Sequence, residues 1–381
     1  MKFKNPFRKE VKSSASAKLL VPFGVREAKF TPRQYDQLAT EGYQKNVVAY
    51  RCISLVSRNA AGVPWVVFRG KGANRERLHE HPLIDLLNKP NPQQGGAALF
   101  EAAFGFYLIA GNSYIEAAGP KNAAPLELWT LRPDRMRIVP GAAGLPTAYR
   151  YQVNGTTFDY AADTLTGQSQ VLHMKSFHPL DDWYGMSPME AAAFSIDQHN
   201  EAAKWNAALL QSSGRPSGAL VYKPAHPEAL DTLTGDQRDT LKTEIEQYFS
   251  GSGNAGRPMV LEGGLDWREI ALAFHVPPQL IGIEGSLTFA NFEQARLALF
   301  DDAVLPLLDH MRDSLNNWLS PRFGDDISIG YDADAIEALA PRREKTWSRL
   351  AGCDFMTVNE KRQALGMSPL AGGDVIGGGA A

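Results

Sequence analysis

Three glycines in the middle of the chain have the spacing of a phosphate-binding loop. Gly251, Gly253 and Gly256 match the pattern G-x-G-x-x-G, in which backbone amides approach a dinucleotide pyrophosphate. That chemistry requires a strand before the glycines and a helix after them, because the helix N-terminus holds the phosphate. Here a helical pattern from Thr234 precedes the glycines and an apparent strand, 258–261, follows them. The reversed order predicts an ordinary loop.

Histidines are the candidates for a metal site. His79 and His81 flank Glu80, but residues two apart on a helix do not share a face, so the three side chains would not converge on one ion. The remaining candidates show no ligand spacing, and we interpret them as core or surface side chains: His173, His178 and His199. No metal site is predicted.

Paired acids are the candidates for acid/base chemistry. Asp181-Asp182 and Asp301-Asp302 have no His, Lys or third acid at a useful spacing, so we interpret both pairs as solvated or capping charges. The sequence also contains no P-loop, nucleophile elbow or zinc spacing. We therefore predict no catalytic residues, no cofactor-binding site and no enzyme.

The overall composition is that of a folded soluble chain, long enough for two or three domains. The 39 Lys and Arg residues against 42 Asp and Glu residues give a net charge of -3. Tight nucleic-acid binding needs many cationic contacts to phosphates, so this balance argues against it but allows a loose, sliding contact with DNA. Cys52 and Cys353 have no metal or CxxC spacing, and no apolar run is long enough to span a membrane. Since a signal-peptide core is also absent from the N-terminus, we expect a protein made and used inside a cell.

The longest helical pattern lies near the C-terminus. Between Asn291 and Leu319, apolar residues recur at intervals of three or four, the spacing of one buried helical face. Asn291 and Gln294 form a variant capping box, although Ser286 and Thr288 offer earlier starts. Such a helix would be about 43 Å long at about 1.5 Å per residue. Pro306 should kink it, because proline removes a hydrogen bond and crowds the preceding turn.

A second helix signal starts at Ser187. Ser187-Pro188-Met189-Glu190 combines a capping box with proline at the first helical position. An alanine-rich body follows to about Ser213, with Gly214 as terminator. The other predicted elements are helices 46–62, 79–87, 96–110 and 268–275, and strands 65–69, 114–118, 126–130, 136–139, 149–153, 157–159 and 218–222. Together they indicate an α+β fold.

Ten sequence blocks occur in a characteristic order over about residues 46–374. They include NVVAYRCISLVSRNAAGVPW, YLIAGNSYIE, YGMSPMEAA, REIALAFHVPPQLIG and TVNEKRQALGMSP. This series resembles the portal proteins of lambda-like long-tailed phages and related gene transfer agents. The resemblance implies a portal fold: an α/β wing, a helical stem, a small α/β clip and a long kinked helix, assembled into a ring with an axial channel.

The resemblance also implies a function and partners. Such rings, usually of twelve copies, occupy one vertex of the capsid, and double-stranded DNA passes through them without sequence specificity during packaging and ejection. The implied partners are the terminase large subunit, a head-tail adaptor protein and the major capsid protein, in a virion assembled in the host cytoplasm, with no membrane and no cofactor. Two alternatives stay open: a nucleotide- or nucleic-acid-processing enzyme, and a capsid or adaptor protein without a channel. A ring with an open pore would favour the portal, whereas turnover by a monomer would favour the enzyme.

The family pattern divides the chain into parts. These are a flexible basic arm (1–45), the wing (46–184), the stem helix (185–214), the clip (215–267), a remnant of the returning stem helix with the tunnel loop (268–290), the long kinked wing helix (291–330), and the crown with its tail (331–381). The residues implied to face DNA are Gly282, Ile283, Glu284, Gly285, Ser286, Leu287 and Thr288. The stem helix is marked by Ser187, Glu190 and Lys204, and the clip surface for terminase or adaptor by Arg215, Gly251, Asn254 and Arg257.

One departure from the family pattern lies between Trp267 and Arg268. Relatives carry most of the returning stem helix there, and what is missing amounts to about five turns of about 3.6 residues each. If the deletion is real, the two Cα atoms lie one trans-peptide step apart, about 3.8 Å. If a disordered segment has been left out of the chain, they lie much farther apart. The continuous numbering favours a real deletion.

Overall fold

The fold is built from three antiparallel sheets and the helices packed around them. The computed structural model describes residues 35–70, 75–120, 123–141, 145–211, 267–282, 289–367 and 369–376. Within these ranges each sheet has three strands, and one large hydrophobic core joins the wing region to the start of the stem helix and to the long C-terminal helix.

The described chain begins with a short helical segment. α1 (Tyr35–Gln37) continues directly into a π-helical segment, Leu38–Gln44. Leu38 and Gly42 are buried, so the flexible arm predicted for 1–45 is wrong for its last eleven residues, 35–45. Burial of the Leu38 side chain against the core offsets part of the conformational entropy that is lost when the segment becomes ordered.

Two helices form the centre of the core. α2 (Val47–Ala61) and α4 (Gly96–Ala110) pack face to face, with Ile53 and Val56 on one side and Leu99 and Phe100 on the other, all at most 1% exposed. Both helices confirm the predicted bounds closely, since α2 ends at Gly62 and α4 at Gly111, a left-handed cap.

The helix between them begins later than predicted. α3 spans Pro82–Asn88 instead of 79–87. The Nδ1 atom of His81 accepts a hydrogen bond from the Leu83 amide at 3.2 Å and so caps the helix. His79 therefore lies outside the helix, before its cap.

The first sheet joins distant parts of the sequence. β1 (Trp65–Arg69) confirms the predicted strand and pairs with β2 (Glu76–Leu78) on one side and β9 (Ile327–Tyr331) on the other. Trp65 lies opposite Tyr331 in the register. The assignment of 291–330 to a long helix is therefore wrong at its end, because β9 belongs to this sheet.

The second and third sheets form the rest of the wing region. The second has the order β4 (Glu127–Leu131), β3 (Asn112–Ala118), β8 (Val171–Lys175), and the third has the order β5 (Met136–Pro140), β6 (Pro146–Val153), β7 (Thr156–Ala161). The five strands predicted here are confirmed, four with small extensions and β4 with a shift of one residue, whereas β8 was not predicted. A separate small core, around Tyr114 and Tyr149, joins the two sheets.

The stem-helix region consists of two segments. α5 (Pro188–Ala191) is separated by Ala192 alone from α6 (Ala193–Gln211). The predicted capping box is confirmed, since Ser187 Oγ accepts from the Met189 amide at 2.9 Å and Glu190 Oε1 accepts from the Ser187 amide at 3.2 Å. The predicted end near Ser213 lies outside the described residues.

The long C-terminal helix changes geometry in its middle. α8 (Phe289–Leu299) passes through a π-helical segment, Phe300–Val304, into α9 (Leu305–Trp318). The π-segment ends two residues before Pro306, and a departure from regular α-helical geometry is expected there because proline cannot donate a backbone hydrogen bond. The kink at Pro306 stays a prediction. The start at Asn291 is wrong by at least two residues, because Asn291 lies inside the first turn of α8.

Three further helices complete the described chain. α7 (Trp267–Ala273) begins one residue before the predicted helix and ends two residues earlier. α10 (Ala340–Ala351) and α11 (Val358–Ala364) lie in the region assigned to the crown. A Thr357–Glu360 capping box starts α11, with hydrogen bonds of 2.7 and 3.1 Å.

Candidate functional site

The helix that begins at Ser187 leaves the folded body at Asn200. Up to that point one side of the helix is buried, and Ile196 and Asn200 are 3% and 7% exposed. From Glu201 to Ala208 no residue is buried. Lys204 lies in this stretch and donates to Glu201 Oε1 at 2.8 Å, a hydrogen bond that raises the lysine pKa. Within the described residues, α6 is therefore anchored at its N-terminal end and projects beyond Asn200 with at most one face half-buried.

A buried network of amides forms the outer anchor of α6. Asn46 caps α2, since its Oδ1 accepts from the Val48 and Ala49 amides at 3.1 and 3.0 Å. Its Nδ2 lies 3.1 Å from both Asn200 Oδ1 and His199 Nδ1. The Asn200 amide in turn donates to the Glu41 carbonyl at 2.7 Å. One network thus joins the N-terminal π-segment, the start of α2 and the stem helix.

The inner anchor is a close contact between two glycines. Gly111 has φ of +69°, and a Cβ there would lie 2.5 Å from the Gly185 carbonyl oxygen. A Cβ on Gly185 would lie 2.2 Å from the Gly111 carbonyl oxygen. Glycine is therefore required on both sides for the two backbones to meet. The contact brings the blocks YLIAGNSYIE and YGMSPMEAA together.

Polar side chains fasten the same contact. Ser187 Oγ donates to the Leu108 carbonyl at 3.0 Å, beside its capping role. Asn112 Oδ1 accepts from the Gly185 amide at 2.8 Å, and its Nδ2 donates to the Ala110 and Gly185 carbonyls at 2.8 and 3.2 Å. These bonds satisfy buried backbone groups at the end of α4 and at the entry to α5. The start of α5 is thus fixed to the end of α4.

His173, for which the sequence suggested no function, completes this junction. His173 Nε2 lies 3.0 Å from Asn112 Oδ1, and its ring stacks on Tyr114 at 4.5 Å between centroids. Because Asn112 Oδ1 is an acceptor for Gly185 as well, the assigned network has the proton of a neutral ring on Nε2. Burial, reinforced by the charge of Lys175, lowers the pKa of His173 to about 3.

The stability of the protein should depend on pH through His173. Its folded pKa lies below the unfolded value, so the unfolded chain binds a proton first and stability falls as pH drops from about 6.5 toward 3. His173 is partly exposed to solvent, which weakens the effect of burial on its pKa. We therefore expect the free energy of unfolding to fall by about 1–2 kcal/mol between pH 7 and pH 5. Urea titrations of wild type and His173→Gln, across this range, measure it.

Glutamine at position 173 retains an amide donor for Asn112 but cannot titrate. We expect the variant to lose most of the pH dependence, with a remainder from His199 and His310, whose pKa values are also lowered by burial. An unchanged slope in the variant would contradict the assignment to His173.

A groove of about 370 Å³ lies beside the inner anchor. It runs between the start of α5, the end of α7 and the π-segment, and its lining includes Met186, Phe274 and Ala303. At its edge, Tyr107 Oη lies 3.3 Å from His310 Nδ1. Over the described ranges, no three His, Cys, Asp or Glu side chains converge as metal ligands. In the same ranges no helix is both long and apolar enough to cross a bilayer.

The structure brings together only some of the residues that the sequence singled out. Ser187 and Glu190 lie at the base of the projecting helix and Lys204 on its exposed part. Gly282 is exposed and has φ of +83°, a left-handed conformation suited to glycine at the entry of a loop. The other tunnel-loop residues, Ile283, Glu284, Gly285, Ser286, Leu287 and Thr288, lie outside the described residues, as do the clip residues Arg215, Gly251, Asn254 and Arg257.

The junction between Trp267 and Arg268 is continuous. The two are consecutive residues of α7, which packs on α6 through a 2.6 Å hydrogen bond from Ser195 Oγ to Glu269 Oε2. The described part of α7 has seven residues, fewer than the nineteen of α6.

Sequence analysis missed the residues that anchor the stem helix. Asn46 was identified only as the start of a helix, and neither Asn112 nor the Gly111–Gly185 contact was predicted. A usable signal was present, because glycine followed by a small polar residue ends α4 at Gly111-Asn112, and a Tyr-Gly pair precedes the Ser187 cap. Their mutual contact joins residues more than seventy positions apart, which no local pattern reveals.

The amino-acid sequence is similar to known proteins over most of its length. The family model described as phage portal protein matches residues 47–270 and 268–366, two segments that meet within α7. An uncharacterized protein of Rickettsia bellii (strain RML369-C) is 38% identical over 367 residues, covering 89% of this chain and 91% of the relative. The portal protein of Enterobacteria phage HK97 is 26% identical over 361 residues, covering 86% of this chain and 80% of the relative.

Solved structures show the same similarity. A chain in the neck of an empty gene transfer agent particle, computed with sixfold cyclic symmetry, matches with a TM-score of 0.69 and 41% identity, over 90% of this chain and 96% of that one. A chain in the neck of a native particle, computed with twelvefold symmetry, matches with a TM-score of 0.67 and 40% identity, over 90% and 95% of the two chains.

Proposed function

Because this chain belongs to the phage portal protein family, we propose that it forms a closed ring of twelve copies around an axial channel for double-stranded DNA. It is a portal protein of the capsid, with a mixed α and β fold, and its place is the portal vertex of a virion or gene transfer agent particle. Packaging and ejection of DNA would both proceed through the channel.

The projecting helix is the observation that best supports a ring. α6 carries apolar side chains beyond Asn200, among them Trp205, and from Glu201 to Ala208 these are half-buried or exposed. The described part of α7, Trp267–Ala273, is too short to cover this length. A cyclic assembly places the same helix of the next copy alongside, where apolar surface can be removed from water.

The charge balance suits a channel through which DNA must move. A net charge of -3 gives no strong general attraction to phosphates, so DNA would slide without being held. The proposed partners are the terminase large subunit during packaging, a head-tail adaptor afterwards, and the major capsid protein around the ring. Catalysis is assigned to none of the residues of this chain.

Imaging and mass measurement of the purified protein test the proposal. We expect rings with an open axial pore in negative-stain or cryo-electron micrographs, and a mass of twelve subunits by native mass spectrometry at micromolar concentration. A monomer under these conditions, particularly one with nucleotide turnover, would contradict it and favour the enzyme alternative. Closed shells or rings without a pore would favour the capsid or adaptor alternative.

Shortening the proposed tunnel loop should impair DNA translocation. Deleting residues 284–287 removes the centre of a small loop whose only acid is Glu284, and leaves Gly282 in place as a hinge. We expect packaged DNA to fall at least tenfold in a particle assembly assay, while ring mass stays unchanged. If rings are lost together with packaging, the loop is a folding element instead.

A further inference from the structure

The C-terminal segment of the described chain has no hydrophobic core of its own. In residues 340–367 and 369–376, no apolar side chain is buried, and only Asn359 and Gly373 have little solvent exposure. Large apolar side chains are instead exposed here: Trp347, Phe355, Val358, Met367, Leu370, Val375 and Ile376. So many exposed apolar side chains in one short segment mark an interaction surface.

α10 shows the feature most clearly. Trp347, Leu350 and Ala351 share one face of the helix, since they lie three and four residues apart, while Arg342 and Arg349 lie on the opposite face. Arg343 lies at the N-terminal end of the apolar face, where it pairs with Asp334. Not one of its twelve residues is buried. Isolated helices below about 12–15 residues are marginal in water, so α10 needs a surface to cover its apolar face.

Polar contacts hold the segment in place. Arg342 Nη1 lies 3.1 Å from Asp301 Oδ1 in the π-segment, and Arg343 pairs with Asp334 at 3.6 Å. Farther along, Asn359 Oδ1 accepts from the Leu370 amide at 2.7 Å. Exposed ion pairs contribute at most about 1 kcal/mol each to folding stability. These contacts can therefore orient the segment, but they are too weak to keep it folded.

An open concavity of about 500 Å³ lies next to α11. Its lining is mostly apolar and consists of Phe355, Met356, Glu360, Gln363 and Ala364. The segment thus presents a convex apolar ridge on α10 and a concave apolar surface beside α11. The two differ in charge as well, since α10 has four cations and one anion, whereas 353–376 has two cations and three anions.

We propose that the apolar face of α10 in one copy packs into the α11 concavity of the next copy, and that residues 340–376 become stably folded only when this contact forms. The inference rests on the proposed ring. A head-to-tail contact between two different surfaces generates a closed ring when the rotation from one copy to the next divides a full turn evenly. In such a ring the α10 face of every copy is covered by one neighbour, and its α11 concavity is filled by the other. The occupant of the concavity is a second copy of this chain.

Amide hydrogen exchange on separated rings and monomers tests this. We expect the amides of α10 and α11 to exchange at least tenfold more slowly in the ring than in the monomer, while those of α2 and α4 are protected in both. Trp347→Glu should abolish the difference in the C-terminal segment, because the new carboxylate would be placed against the apolar lining and the like charge of Glu360. Leu165→Glu is the matched control, since that side chain is 90% exposed and lies outside the segment.

The outcomes separate the two proposals. Rings whose α10 exchanges as fast as in the monomer, or whose protection survives Trp347→Glu, would overturn this inference and leave the portal function intact. Protection of α10 in the isolated monomer, or protection gained only when DNA or another protein is added, would also overturn it. A wild-type chain that forms no rings would overturn both proposals.

Discussion

Replacing Gly111 with alanine is expected to lower the free energy of unfolding by about 3–5 kcal/mol. The φ of +69° at this position is strained for any residue with a Cβ, and the added carbon would lie 2.5 Å from the Gly185 carbonyl oxygen. The neighbouring atoms are backbone, so relief requires the entry to α5 to move. Chemical denaturation followed by circular dichroism measures the loss.

Two other glycines separate the causes of that loss. Gly155 has φ of +80°, and a Cβ there would meet no neighbouring atom within 4 Å, so Gly155→Ala isolates the conformational strain, about 1 kcal/mol. Gly105 lies in the interior of α4 with equally open space, and Gly105→Ala should stabilise the protein by about 0.5–1 kcal/mol. A Gly111→Ala cost no larger than that of Gly155→Ala would contradict the proposed close contact.

The Gly111→Ala substitution should also affect assembly, because of where Gly111 lies. It fixes the base of the projecting helix to the wing, so a shift there is transmitted along α6 to its exposed end. We therefore expect Gly111→Ala to reduce ring formation as well as stability, whereas Gly105→Ala should leave it unchanged.

Local signals predicted the parts of the fold that depend on neighbouring residues. The Ser187–Glu190 capping box involves only residues within one turn of the helix start that it defines. Pro306 was expected to disturb its helix for the same reason, because the missing amide acts on its own helix. What the sequence did not indicate is the form of the irregularity, a π-segment whose Phe300 and Val304 are buried in the core.

Contacts between distant residues were beyond any local pattern. β9 pairs with β1 across more than 250 residues, and its five residues, which include Gly330, gave no strong strand signal. A Cβ at Gly330 would lie 2.9 Å from the Phe68 ring, so close packing explains the glycine in this strand. The family resemblance supplied the function, but not the contacts that hold the stem helix.

Replacing Asn46 with alanine is expected to cost about 2–4 kcal/mol of unfolding free energy. The cap of α2 is lost, and Asn200 Oδ1 loses its hydrogen-bond donor. Both residues are buried, Asn46 at 1% exposure and Asn200 at 7%, so water cannot readily replace the lost bond. Asn46→Ser keeps a capping oxygen but lacks the Nδ2 donor, so it should recover about 1 kcal/mol of the loss.

A double-mutant cycle with Asn200→Ala tests whether the two amides act together. If the direct hydrogen bond of 3.1 Å carries the coupling, the double variant should be more stable than the sum of the single losses by about 1 kcal/mol. Additive losses would show that Asn46 acts only as a helix cap. Because Asn200 is the last buried residue of α6 between Ala193 and Ala208, the coupled loss should also free the helix from the Glu41 carbonyl, and ring yield should fall with it.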